Sequence, residues 1–430
     1  MKNIKPINGM EINESVRLEP GTVVLPDGLH ITADGITVDG NGATLIGLQH
    51  QGVGVMLSGR QDVTIKNLQI SGYFHGIEAR DCQNLTIKHC RITDTAEVAA
   101  NTVFLDIWRE VNNPYGGAIF LAGVRDSRIL NNGMQHQMNG LLSYYCRDLT
   151  VQGNNASYNS GFGFHLYETT HSTFHQNWAD YCCRYEPRKS GKGHLGADSA
   201  GFLIVHNASH NTFTENMARM SGDGFFLAGL TLDGESVSCN HNRFEGNDAS
   251  YSPNNAFEAT FSEGNHFVNN QASYSNYGFW LGFSRANQLT KNHIIGNHRA
   301  GIAAENGSQF DVINNTLQDN QIGVLIWSKP IPQFLKAFPQ NETSKFWRIN
   351  RNTIHRNGTG IRIAANQDHG TRPYPLSDVL QGNSRYRPHD HEVAGNVISE
   401  NRLGIQTLEA DRTIIKDNTF RRNITGDIKS

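Results

Sequence analysis

Two carboxylates, Asp223 in SGDGFF and Glu258 in NNAFEATF, flank the same short step, a Gly or Ala followed by Phe. Paired carboxyls are the working parts of glycosidic bond hydrolysis. One, protonated, donates to the leaving oxygen; the other attacks the anomeric carbon or activates water. A third, Asp198 in GHLGADSAGF, precedes the next Gly or Ala-Phe step toward the N-terminus. Around these steps lie Tyr277, Trp280 and Trp327, whose rings suit the apolar C–H face of a sugar, and Asn255, His165, His194 and Glu305, which suit its hydroxyls. The expectation is that Asp223 and Glu258 are the acid and its partner, with Asp198 as the third carboxylate. Which of them carries the proton is open, as is the stereochemical outcome, because both depend on a carboxyl separation that sequence does not set. Taken singly, each residue is also what an ordinary solvated surface carries. Their convergence is what points to a site.

A second chemistry competes. The insertion RYEPRKSGKGH (184–194) places Arg184 and Arg188 around Pro187, with Lys189 and Lys192 beside them. A guanidinium grips a carboxylate or phosphate through two parallel hydrogen bonds, which suits uronic acids. A polysaccharide lyase or uronate C5-epimerase would then abstract the proton next to that carboxylate with Lys, Arg, Tyr or His as base. A binding protein that grips glycans without turnover is the third class. The string RPHDHE (387–392) alternates His389, Asp390 and His391, too few ligands for a metal site, and no motif requires a cofactor.

These residues need a scaffold that repeats. Segments 210–229, 241–260, 264–283 and 287–306 align without gaps at a period of roughly 22 residues. In each, an apolar residue is followed three positions later by Asn, giving Asn132, Asn154, Asn177, Asn216, Asn247, Asn270, Asn292, Asn315, Asn352, Asn396 and Asn418. Such a column predicts an asparagine ladder at an inward corner of a parallel solenoid, on left-handed backbone. Phe164, Phe202, Phe225, Phe257 and Phe279 follow on successive repeats and predict an interior aromatic stack. Because side chains alternate along a strand, the outward column reads Glu78, Ile119, Leu142, His165, Leu203, Phe226, Glu258, Trp280, Ala303, Leu325 and Arg362. Tyr144, Tyr167, Thr260, Glu305 and Trp327 lie two residues further along, and Asp223, Asn255 and Tyr277 just before the step.

The repeat resembles that of the pectate-lyase-like superfamily, in the form shared by carbohydrate-binding and sugar-hydrolysing proteins, over about residues 35–425. The resemblance implies an all-β, right-handed parallel β-helix: residues 1–34 as cap and entry strands, one solenoid domain over 35–425, and a polar tail at 426–430. Asp198, Asp223 and Glu258 resemble the three acids of polygalacturonase-like hydrolases without matching their motifs. RPHDHE is faintly similar to an element of alginate epimerases, with Arg where that element has Asp. Insertions beyond the period fall near 94–114, 184–197, 230–239, 329–346 and 365–391. The first two precede the Gly-Phe strand and the others follow it, so they are expected to wall a groove on one face.

Composition bounds the partners. A net charge of −3 gives no broad basic field, which argues against nucleic acid or an anionic membrane. The opening MKNIKPINGMEINESVRL holds no apolar run, so a cytoplasmic protein acting on a short oligosaccharide or small glycoside is expected. The six cysteines form no CxxC pair and are expected as thiols inside the coils. Exposed solenoid edges leave room for a homo-oligomer.

Overall fold

The computed structural model describes residues 1–99, 105–187, 194–196, 198–329, 331–365 and 386–430. The chain forms two compact units, Met1–Asp223 and Gly224–Ser430, each built of right-handed parallel β-helix coils. In the first unit, Thr64–Lys66, Thr86–Lys88, Arg128–Leu130, Thr150–Gln152 and Thr173–His175 pair in parallel as one face. His75–Arg80, Gly117–Ala122, Leu141–Tyr144, Phe162–Tyr167 and Ala200–Val205 make a second. Thr44–Ile46, Gln69–Ser71 and Arg91–Thr93 make a shorter third. The expected cap is already part of the coils: Lys2–Ile4 pairs with Val16–Leu18, and Met10–Ile12 with Leu29–Ile31.

The second unit repeats the plan. Its second face comprises Asn255–Thr260, Tyr277–Trp280, Ala300–Glu305, Ile322–Trp327, Thr359–Ala364 and Leu403–Leu408 in parallel register. The expected polar tail joins it, with Ile428 and Lys429 paired to Ile405 and Gln406.

The asparagine ladder is present and buried. Each Nδ2 donates to the Oδ1 of the next coil at 3.0 Å from Asn132 to Asn154 and from Asn270 to Asn292, and at 2.9 Å from Asn292 to Asn315. Each also reaches back to a main-chain carbonyl of the preceding coil, as Asn292 does to Phe267. Buried amides are thus satisfied on both sides, which is what lets polar groups line a solenoid corner. The left-handed backbone falls one residue earlier than expected. Asn131, Gln176, Glu215, Asn269, Lys291 and Asn314 have φ between 51° and 59°, while the ladder residues that follow them do not have positive φ. A second ladder runs through Asn297, Asn320, Asn357 and Asn401.

The aromatic stack is likewise present, with ring centroids 4.7 Å apart for Phe164 and Phe202 and 5.0 Å for both Phe225–Phe257 and Phe257–Phe279. A companion stack, Phe174–Phe213 and Phe244–Phe267, meets it edge to face. All six cysteines are free and all but Cys183 are buried. Burial pushes the thiols of Cys90, Cys146 and Cys182 up to about 12.

Two insertions of the second unit line one cavity. Residues 230–239 close through an antiparallel bridge between Leu230 and Ser236, and 329–346 carries the helix Pro332–Ala337. Phe334 of that helix sits edge-on to Phe261 and Phe283. In the first unit the 184–197 insertion forms the antiparallel pair Tyr185–Glu186 with His194–Leu195. Arg188 and residues 366–385 lie outside the described residues.

Candidate active site

The outward side of the second face follows from register. Phe257 is in the interior stack, so the residue after it, Glu258, points out, and the residue three before Glu258 joins it: Asn255 Nδ2 donates to Glu258 Oε2 at 2.6 Å. In the first unit, His75 and Glu78 make the same three-residue contact at 2.9 Å. The outward column of the second unit therefore runs Phe226, Glu258, Trp280, Ala303, Leu325 and Arg362, as the sequence suggests. In the first unit one member changes. Glu78 pairs with Phe120 and Phe120 with Leu142, whereas Ile119 pairs with Leu141 and lies in the core. The Gly-Phe step is disguised there as Ala118-Ile119, and reading Gly117 as its glycine shifts the face by one residue.

Around Glu258 the structure gathers several of the expected residues. Tyr277 and Trp280 lie on the next strand with ring centroids 4.9 Å apart, and Trp280 contacts Trp327 at 5.4 Å. Trp327 is wholly buried, closing an apolar floor with Tyr277, Ala300, Ala303 and Leu325. The aromatic surface left for a ligand is therefore that of Trp280, which is only half-buried.

Glu305 is the residue whose chemistry the sequence understates. It pairs in register with Trp327 and is 9% exposed. Its Oε1 has no hydrogen-bond partner among the described residues. Burial raises its pKa from 4.5 to about 7, against smaller opposing effects of the Lys329 ammonium and the Trp327 indole. A carboxyl that holds its proton near neutrality is equipped to be a general acid. Lys329 belongs to the 329–346 insertion and is anchored by its backbone N–H on Asn306 Oδ1 at 2.6 Å.

The remaining expected residues fall in the first unit. Asp223 is 2% exposed, not solvent-facing as expected. Its backbone N–H donates to the Ser199 carbonyl, its charge acts on the Cys183 thiol, and the insertion returns beside it, since Gly222 abuts Gly196 and Ser199. Asp198 is partly exposed in a turn with φ 59°, ahead of the strand Ala200–Val205 rather than on it. His165 is buried, between Phe162 and Tyr144, and desolvation lowers its pKa to about 3, so it is neutral and no surface histidine. His194 lies half-buried in the inserted hairpin. Arg184 is buried as well, its guanidinium on the Ala99 carbonyl and the Met138 sulfur, so it serves the fold and not an anion clamp.

His389, Asp390 and His391 do not converge. Asp390 is held by the Arg412 guanidinium and bonded by His389, which keeps its carboxyl well below the usual range, while His391 is buried with Nδ1 accepting from the Trp347 backbone N–H. Among the described residues no group of three or more His, Cys, Asp or Glu is placed to hold a metal ion.

A family model described as right handed beta helix region matches residues 27–218 and 227–335. Among solved structures the chain is similar to the A-module of a mannuronan C-5 epimerase from Azotobacter vinelandii, at 11% identity over 97% of this chain and 91% of that one, with a TM-score of 0.41. It is also similar to the catalytic domain of an α-1,3-glucanase in complex with tetrasaccharides, at 10% identity over 99% and 70%, with a TM-score of 0.46. A tailspike protein of bacteriophage CBA120 is similar at 11% identity over 96% and 56%, with a TM-score of 0.39. No curated protein matches the sequence.

Proposed function

The chain belongs to the right-handed β-helix family, and from that premise we propose that it is a glycoside hydrolase whose acid and base, Glu305 and Glu258, lie on one outward face of the second unit. The observation that carries the reading is Glu305, a carboxyl buried beside Trp327 and protonated up to about pH 7. It donates its proton to the leaving glycosidic oxygen. Glu258, half-buried and oriented by the Asn255 amide, activates water on the other side of the sugar ring. The two sit two coils and two residues apart, about 12 Å between Cα atoms at ordinary strand spacing. That spacing is wider than the roughly 5–5.5 Å a direct carboxylate nucleophile needs, so Glu258 is assigned to activating water and not to attack on the anomeric carbon. Trp280, on the coil between them, supports the sugar by stacking.

This reading keeps Glu258 and replaces its expected partner, Asp223, by Glu305. The substrate is a short oligosaccharide or small glycoside, and the proposed location is the cytoplasm. The test is product analysis on an oligosaccharide panel, following reducing ends and ultraviolet absorbance together. New reducing ends without absorbance support hydrolysis. Rising absorbance from an unsaturated uronate means a lyase; with neither signal, inversion at C5 read by proton NMR of the recovered sugar means an epimerase, and an unchanged sugar means a binding protein.

A further inference from the structure

Trp327 is wholly buried, and its indole N–H makes no hydrogen bond among the described residues. A donor shut away from water in this way forfeits its solvation with nothing in return. The unit's other wholly buried indole, Trp347, avoids that cost by donating to the Gly307 carbonyl at 2.9 Å. Beside the unpaired donor of Trp327 lies an unpaired acceptor. Glu305 pairs with Trp327 in register on the adjacent strand, roughly 4.8 Å away between backbones, and its Oε1 is buried and equally without a partner. Both residues stand on the outward side of the face, two positions past Ala303 and Leu325. The flanking strands Tyr277–Trp280 and Ile322–Trp327 carry no charged side chain, and Tyr277 is their one titratable group. The insertion that follows brings the Lys329 ammonium, which, like the indole, favours the ionised form of Glu305.

We propose that Trp327 is a positioning residue of the reaction, whose N–H stays unpaired while Glu305 holds its proton and donates to the Glu305 carboxylate once that proton has left. The inference rests on the hydrolase reading and deepens it. As the proton passes to the glycosidic oxygen, the bond from that oxygen to the anomeric carbon breaks and its electron pair stays on the oxygen. Glu305 is left as a carboxylate in surroundings that favoured the acid. A carboxylate accepts a hydrogen bond more strongly than a protonated carboxyl does, so the indole stabilises the state after proton transfer more than the state before it. Water gives its hydroxyl to the anomeric carbon and its proton to Glu258. Exchange with solvent then removes that proton from Glu258 and returns one to Glu305.

The test is nuclear magnetic resonance of the full chain with its five tryptophan indoles labelled with nitrogen-15, from pH 5 to pH 9. The Trp327 cross-peak, identified by its loss in Trp327→Phe, is expected to move downfield through one titration at about pH 7 and to stay still in Glu305→Gln. Should Trp327→Phe fail to fold, the comparison stands without it, since one indole must titrate near pH 7 in the wild type and lose that titration in Glu305→Gln. The absence of such an indole overturns the proposal. In turnover, Trp327→Phe keeps an apolar floor and loses the donor, so kcat is expected to fall about tenfold with KM unchanged. The alkaline limb of its pH profile is expected to rise by about one pH unit, because the carboxylate has lost a donor that favoured it. A floor with no other role raises KM and leaves the limb at about pH 7, which also overturns the proposal. An indole that titrates as expected, with turnover unaffected by Glu305→Gln, leaves the pair assigned and overturns the hydrolase reading instead.

Discussion

Replacing Glu305 by Gln removes a proton that the fold itself retains, and its effect on stability can be worked out. The carboxyl titrates near 4.5 when unfolded and at about 7 when folded, because burial disfavours the charged form. A raised folded pKa means that the folded chain binds the proton more tightly than the unfolded chain. The associated stability is therefore complete below about pH 4.5 and is lost as pH rises through about 7. Each pH unit of that interval is worth ~1.4 kcal/mol, so the whole loss is about 3 kcal/mol. Glu305→Gln keeps the shape and cannot ionise. Urea denaturation of both proteins from pH 4 to pH 9 should show wild type losing about 3 kcal/mol relative to the variant, mostly between pH 5 and 7.5, with the difference flat on either side. A difference that stays constant through this window would refute the argument that burial holds the proton on Glu305.

Other consequences are independent of that group. Asn292→Ala removes bonds to Asn315, the Phe267 carbonyl and Asn270 inside the core, and should cost about 2–4 kcal/mol by denaturant midpoint, against a few tenths for an exposed asparagine. Phe257→Ala opens the stack between Phe225 and Phe279 and should cost about 3–5 kcal/mol in the same assay. Six thiols should react with a disulfide reagent after unfolding, while in the native protein Cys183 reacts first and slowly, since burial raises its thiol to about 11. Trp280→Ala should weaken oligosaccharide binding about tenfold with little change in stability, read by calorimetry and thermal unfolding together.

How far the sequence carries depends on whether a property repeats. The ladder from Asn132 to Asn418 and the phenylalanine stack are legible because each coil must offer the same group at the same corner, so one alignment recovers the register. Register fails where the marker is replaced: with Ala118-Ile119 in place of Gly-Phe, Phe120 is missed on the outer face. The Glu258, Asn255, Tyr277 and Trp280 grouping is legible for the same periodic reason. Burial on that face is not, because it is set by the side chains of neighbouring coils and by insertions that obey no period. Asp223 and His165 read as outward and are covered, Trp327 reads as a stacking surface and is a floor, and Glu305 reads as a binding residue although its desolvation gives it the chemistry of an acid.

The most direct test of the central claim is the pH dependence of kcat/KM for reducing-end release by wild type, Glu305→Gln and Glu258→Gln. Turnover that falls above about pH 7 in the wild type and is abolished in both amides, with both still folded, is the predicted result. Unchanged turnover in either amide, or a rate that rises through pH 7 and beyond, would contradict the assignment of Glu305 as acid and Glu258 as base.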